Sequence, residues 1–306
     1  MLLGGVFLLD REEFIVVGSK DNSINVVKLE CNDDNLMIEN LYNKIYNNKI
    51  MLHSCLLQKN NIYILDSFNN LLIKYNMNNN EYLECYTGKD PRHICKCRDN
   101  IYVTNFESDS IAIIDDKSCT LTGLIAVSSK PHDIIAHQED NKLYIACYEE
   151  NKILEYDIES SEKKHLEIAG KPMHLILFDN YLFTMAYQVS ENISSEIYII
   201  NLNNYKIEKK YLIDEITSNF AYDSDTNMLY VLAIESGTVY SIDLSNEQIK
   251  KQIHLNGYLE NIFISKKHLH IVNSSRNNIT IIDKSDYQQI KNIYLKFSPI
   301  YVNKLF

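Results

Sequence analysis

Ile101-Tyr102-Val103-Thr104-Asn105 is followed by a polar turn and then by Ile111-Ala112-Ile113-Ile114-Asp115. Both runs are short and rich in β-branched and aromatic residues, which fit a pleated surface packed on both sides. Each ends in Asn or Asp, whose short side chain bonds nearby backbone and starts a turn. The pair therefore reads as a β-hairpin. The same pair recurs at 62–66 with 72–76, 143–147 with 153–157, 181–185 with 197–201, 229–233 with 239–243 and 269–273 with 279–283, and more loosely at 14–18 with 24–28.

These are seven copies. Asp115 and Asp283 lie 168 residues and four steps apart, a mean period of 42. Such a period belongs either to propeller blades or to stacked helical pairs. The runs are too short, and too closely bounded by Asn, Asp and Ser, for helices, and no apolar i, i+3, i+4 pattern persists for three turns. Each hairpin has a shorter strand before it, often begun by proline: Pro91-Arg92-His93-Ile94, Pro131-His132-Asp133-Ile134, Pro172-Met173-His174-Leu175. An alternating strand follows it, as in Tyr82-Leu83-Glu84-Cys85-Tyr86. Four antiparallel strands per copy and seven copies predict an all-β, seven-bladed β-propeller filling residues 1–306 as one domain. Gly4 to Leu9 and Pro299 to Val302 both read as an innermost strand, and a ring of seven has room for only one of them.

The Tyr-Val-Thr-Asn of residues 102–105 resembles the signature of the YVTN family of β-propeller repeats. Asp115, Asp157, Asp243 and Asp283 stand at that repeat's Asp position, and Gly88-Lys89-Asp90-Pro91 matches its Gly-x-x-Pro element, shortened at Gly170-Lys171-Pro172. The resemblance spans about residues 14 to 301 and implies the fold; family members are too diverse for it to imply an activity. Two departures stand out. Trp is absent, which excludes a WD repeat, and Gly is only 8, so Asn is expected at many left-handed turn positions.

Composition bounds the function. The chain is 45% hydrophobic and 23% charged, enough apolar content for a core, and no apolar run approaches a membrane span. A net charge of −11 argues against nucleic-acid binding. The start lacks the basic segment of a signal peptide. The seven cysteines are odd in number and none lies beyond Cys147, so free thiols and a cytoplasmic location are expected. The Asn-, Ile-, Lys- and Tyr-rich usage suggests an AT-rich bacterial genome.

No Gly-x-Ser-x-Gly elbow, phosphate loop or His-Glu-x-x-His motif is present. Cys95 and Cys97 share a strand face and read as core. The strand tyrosines, at a constant place in the repeat, read as packing between blades. The histidines carry more information. The first two positions of the innermost strands are Arg92/His93, His132/Asp133, Met173/His174, Ser218/Asn219, Glu260/Asn261 and Ile300/Tyr301, with His53 near the corresponding place in an earlier copy. Nine histidines scattered at random would put fewer than one in those twelve positions, yet three fall there. Common ancestry of the repeats, or a bond to the neighbouring blade, are the bland explanations. The candidate ligand-binding set is His93, Asp133, His174, Asn219 and Asn261, and not His137, His165, His254 or His268.

The expected function is a non-catalytic, monomeric propeller that binds a protein or small molecule at its channel mouth. No cofactor, nucleic acid or membrane is expected, and the presence of a metal is left open. The alternative is a lactonase- or hydrolase-like enzyme with a metal in the mouth. A third reading, a structural protein of an envelope or spore layer, rests on abundant Tyr and exposed Cys.

Overall fold

A computed structural model of the chain describes residues 12–31, 35–127, 129–189 and 193–305. These form 28 strands in seven four-stranded antiparallel sheets, with two short 3-10 turns at Phe106–Ser108 and Tyr148–Glu150. The expected seven-bladed propeller is the fold. Blade 1 opens with Glu12–Lys20, and its innermost strand is Ser298–Lys304 from the other end of the chain. The innermost strands of blades 2 to 7 are Leu52–Gln58, Pro91–Cys97, Pro131–His137, Lys171–Phe178, Thr217–Asp223 and Leu259–Ile264. The carboxyl-terminal strand thus takes the place for which two segments competed; Gly4 to Leu9 lies outside the described residues.

Burial follows strand position. The second strand of each blade is packed on both faces, as at Asn100–Asn105 and Met228–Ala233, whereas outer strands such as Gln248–His254 face solvent. Apolar side chains collect into seven clusters, one at each blade interface. Tyr63, Leu65 and Leu72 of blade 2 meet Ile94, Val103 and Ile114 of blade 3. Phe14, Val16 and Val302 of blade 1 meet Val272, Ile279 and Ile281 of blade 7, closing the ring. Each fully buried aliphatic side chain there contributes roughly 1.5–3 kcal/mol. Closure also needs Gly18, whose added Cβ would overlap the Ser298 carbonyl and lie 2.6 Å from the Phe297 ring.

The strand tyrosines behave as expected. Tyr63, Tyr75, Tyr198 and Tyr230 are almost fully buried, and the hydroxyls of Tyr75 and Tyr198 donate to the Leu41 and Ala169 carbonyls at 2.7 and 2.8 Å. Cys95 and Cys97 share one core cluster. All seven cysteines are buried, which corrects the exposed Cys behind the envelope reading. The expectation for left-handed turns holds in part: Asn70, Asn80, Asn141, Asn151, Asn227, Asn256 and Asn277 have positive φ, but so do Lys59, Arg98, Cys119 and Tyr205.

Candidate functional site

Every innermost strand breaks register at the same place. The pairing skips from Pro91 to Ile94, from Pro131 to Ile134 and from Leu52 to Cys55, with shifts in the other four blades. A β-bulge leaves residues unpaired and re-aims their side chains. In blades 2, 3 and 4 the pairing skips both positions singled out in the sequence, which puts His53 and Ser54 in the same frame. In the other blades it skips only the first, Met173, Ser218, Glu260 or Ile300, and the second stays paired. All fourteen residues at the two positions line one cavity of about 420 Å³ at the channel mouth.

The Tyr-Val-Thr-Asn motif helps to shape this rim. The buried Thr104 hydroxyl accepts from His93 N–H at 2.8 Å and donates to the His132 carbonyl at 2.8 Å, tying the bulges of blades 3 and 4 together. Asn105 Oδ1 accepts from Gly88 N–H at 2.9 Å.

The cavity is asymmetric. His53, His93, His132 and His174, from four consecutive blades, gather on one side. Their ring centroids are 5.2 Å apart for His53–His93, 5.0 Å for His93–His132, 4.9 Å for His93–His174 and 5.2 Å for His132–His174. Asp133 lies among them: its Oδ1 is 3.2 Å from His93 Nδ1 and its Oδ2 is 3.5 Å from His174 Nδ1. The same carboxylate accepts Ile134 N–H at 2.7 Å and Leu175 N–H at 2.9 Å, so it braces its own bulge and the next blade. Two sets offer converging donor atoms, all within 4.8 Å of one another: His53 with His93 and His132, and His93 with Asp133 and His174.

Hydrogen bonding decides which ring nitrogens can act. His132 Nδ1 donates to the Met173 carbonyl at 2.9 Å, leaving its Nε2 lone pair. Arg92 Nη1 donates to His53 Nε2 at 2.9 Å and is itself held by Asp90 Oδ2 at 2.6 and 3.0 Å, which puts the His53 proton on Nδ1. His93 turns Nδ1 to Asp133, and its Nε2 is buried without a hydrogen-bond partner. Burial, reinforced by the neighbouring imidazoles and Arg92, holds His53 and His132 well below the usual histidine range. Burial brings His93 down to about 4, although Asp133 opposes it. These three rings are neutral near pH 7. Burial works against the charge of Asp133, but His93 and His174 outweigh it and keep the carboxyl below its ordinary range.

The opposite side carries amides and hydroxyls. Asn219 Oδ1 accepts from Phe220 N–H at 2.8 Å and its Nδ2 reaches the Glu260 carbonyl at 3.4 Å. That is the bond to the neighbouring blade considered above. Asn261 lines the wall. Burial raises the Glu260 carboxyl, against a 3.1 Å bond from Ser274 and the charge of His174.

The structure therefore brings all five candidate residues to one cavity and gathers His93, Asp133 and His174 into one cluster. It adds His53, Arg92, His132 and Glu260. His53 was legible only by counting back from Cys55, whose pairing fixes the register. His165 and His254 are exposed on outer strands, and His137 and His268 lie at strand ends away from the mouth.

No family model and no curated protein matches the chain. Solved structures do. The periplasmic gluconolactonase PpgL of Pseudomonas aeruginosa is 12% identical with a TM-score of 0.73, over 96% of this chain and 99% of that one. A Lactobacillus plantarum protein is 15% identical with a TM-score of 0.73, over 97% and 100%. Citrobacter koseri AztD is 12% identical with a TM-score of 0.65, over 95% and 97%. At these identities the likeness shows the shared propeller fold alone.

Proposed function

We propose that this YVTN-like propeller is a binding protein whose channel mouth takes a divalent transition-metal ion on its histidine cluster. The observation that carries the reading is His93. Its Nδ1 faces a carboxylate, and its Nε2 is a buried lone pair with no partner, beside the rings of His132 and His174. An unpartnered buried polar atom costs roughly 1–3 kcal/mol, and a bound cation would satisfy it. Neutral imidazoles are the form that ligates, and a carboxylate behind a ligating imidazole orients it. Imidazole-rich donor sets suit zinc, copper, nickel and iron more than calcium or magnesium.

Beyond the ion, the cavity leaves room beside Ser218, Asn219 and Asn261 for a small polar molecule. We place the protein in the cytoplasm as a monomer. The odd count of seven cysteines, none beyond Cys147, supports the compartment. The test is a thermal-shift series with Zn2+, Co2+ and Ca2+ on chelator-treated protein. Zn2+ and Co2+ should stabilise it and Ca2+ should not; equal shifts for all three, or none, would dismiss the reading.

One observation favours a hydrolytic alternative. Glu260 shares the cavity, and burial raises its carboxyl, the direction that suits a group exchanging protons with a substrate. Metal-dependent turnover of lactones, the substrate class named for PpgL, that is lost in Glu260→Gln would move this alternative ahead; no turnover would leave the binding role standing.

A further inference from the structure

The far side of the ring carries a second donor cluster. The innermost strand of blade 7 runs away from the mouth to Ile264, and the chain turns back at His268, so His268 and His270 lie near the lower end of that blade. Phe14 pairs with Lys304, at the lower end of the closing strand, so Glu12 lies there too, across the interface in blade 1. Glu12 Oε2 is 3.7 Å from His268 Nδ1 and 3.7 Å from His270 Nε2. All three residues are buried, with 8%, 6% and 1% exposure.

Two atoms in this cluster have no hydrogen-bond partner: Glu12 Oε2 and His268 Nδ1. A 3.7 Å gap is too long for a hydrogen bond. It is close to the separation, about 3.4 Å, of two ligands bound tetrahedrally at about 2.0–2.1 Å from one zinc ion. The His270 ring is fixed by Phe14, with centroids 4.4 Å apart, and by Phe263 at 5.7 Å. Its Nε2 has only a long 3.4 Å contact with Ser265 Oγ, which also accepts from His268 N–H at 3.1 Å. Lys304 Nζ lies 3.3 Å from the other carboxylate oxygen, and its side chain is 42% exposed, so it can withdraw into solvent.

We infer that Glu12, His268 and His270 form a second, lower-face site for a divalent first-row metal ion, clamping blade 1 to blade 7 where the ring closes. Two imidazoles and one carboxylate with open positions are a donor set for zinc or ferrous iron. The inference stands apart from the mouth, whose histidines come from blades 2 to 5. Because the ligands come from the first and last blades, an ion there would bind the closed ring and not the open one, so binding would raise stability.

The test uses Zn2+ on the full chain carrying His93→Ala and His174→Ala, which removes the mouth cluster. This protein should retain one equivalent of zinc after dialysis and gain thermal stability from it. Adding Glu12→Gln should weaken that binding at least tenfold. A mouth variant that binds no zinc, or an affinity unmoved by Glu12→Gln, overturns the inference. Should the combined variant not fold, anomalous diffraction from zinc-soaked parent crystals decides. A peak among Glu12, His268 and His270 is required, and saturating zinc without one refutes the site. Failure of the mouth reading alone would look different: parent and mouth variant would bind zinc equally.

Discussion

Asp133 Oδ1 lies 3.2 Å from His93 Nδ1, and this contact decides which side of the His93 ring is available for chemistry. With the proton held toward the carboxylate, the lone pair is on Nε2, the buried atom without a partner. An Asp133→Asn variant keeps an oxygen for Ile134 N–H but loses the charge and one of its two acceptors. Zn2+ affinity at the mouth should fall roughly 10–100-fold, with a stability loss of about 1 kcal/mol. Calorimetry and chemical denaturation measure the two. A loss of stability with unchanged affinity would make Asp133 a brace for the bulge alone.

Arg92 gives a prediction of opposite sign. Its guanidinium donates to His53 Nε2 and brings positive charge to the rim. Arg92→Gln removes that charge and relaxes the hold on His53, so Zn2+ should bind several-fold more tightly. A small anion should bind less well to the same variant. Weaker zinc binding in Arg92→Gln would show that Arg92 organises the cluster instead of opposing the ion.

The innermost-strand signal was legible because polar residues recur at one position of every repeat. The ring was legible because the 42-residue period and the strand chemistry agree. What escaped was geometry set by distant parts of the chain. Two segments of similar pattern could supply the closing strand, and pairing with Glu12–Lys20 settles that Ser298–Lys304 does. His53 lacks the proline that marks Pro91 and Pro131, so its register needed the partner strand. His268 was set aside for lying outside the innermost strands, and its closeness to Glu12, 256 positions earlier, is a product of ring closure that no local pattern records.

Asp116 offers a test of the blade 2–blade 3 contact in solution. Burial raises its pKa, but bonds from Lys96, Tyr63 and Lys74 outweigh this and bring it down to about 2, from an ordinary value of 3.8. The folded state therefore binds the proton less readily than the unfolded chain. Its stabilising contribution is complete above about pH 4 and is lost as pH falls toward 2. Asp116→Asn should cost on the order of 1 kcal/mol at pH 7, allowing for solvent screening, and the gap to the parent should narrow below pH 4. A gap that does not change with pH would remove the ion pairs from the account.

The central claim is that the mouth histidines ligate a metal ion. The most direct measurement is a calorimetric titration of Zn2+ into chelator-treated parent protein and the His93→Ala/His174→Ala variant, with circular dichroism to confirm that both are folded. The account predicts that the folded variant binds one equivalent fewer than the parent. Equal stoichiometry and equal affinity in the two proteins would contradict it and leave the histidine ring a structural feature of the bulges.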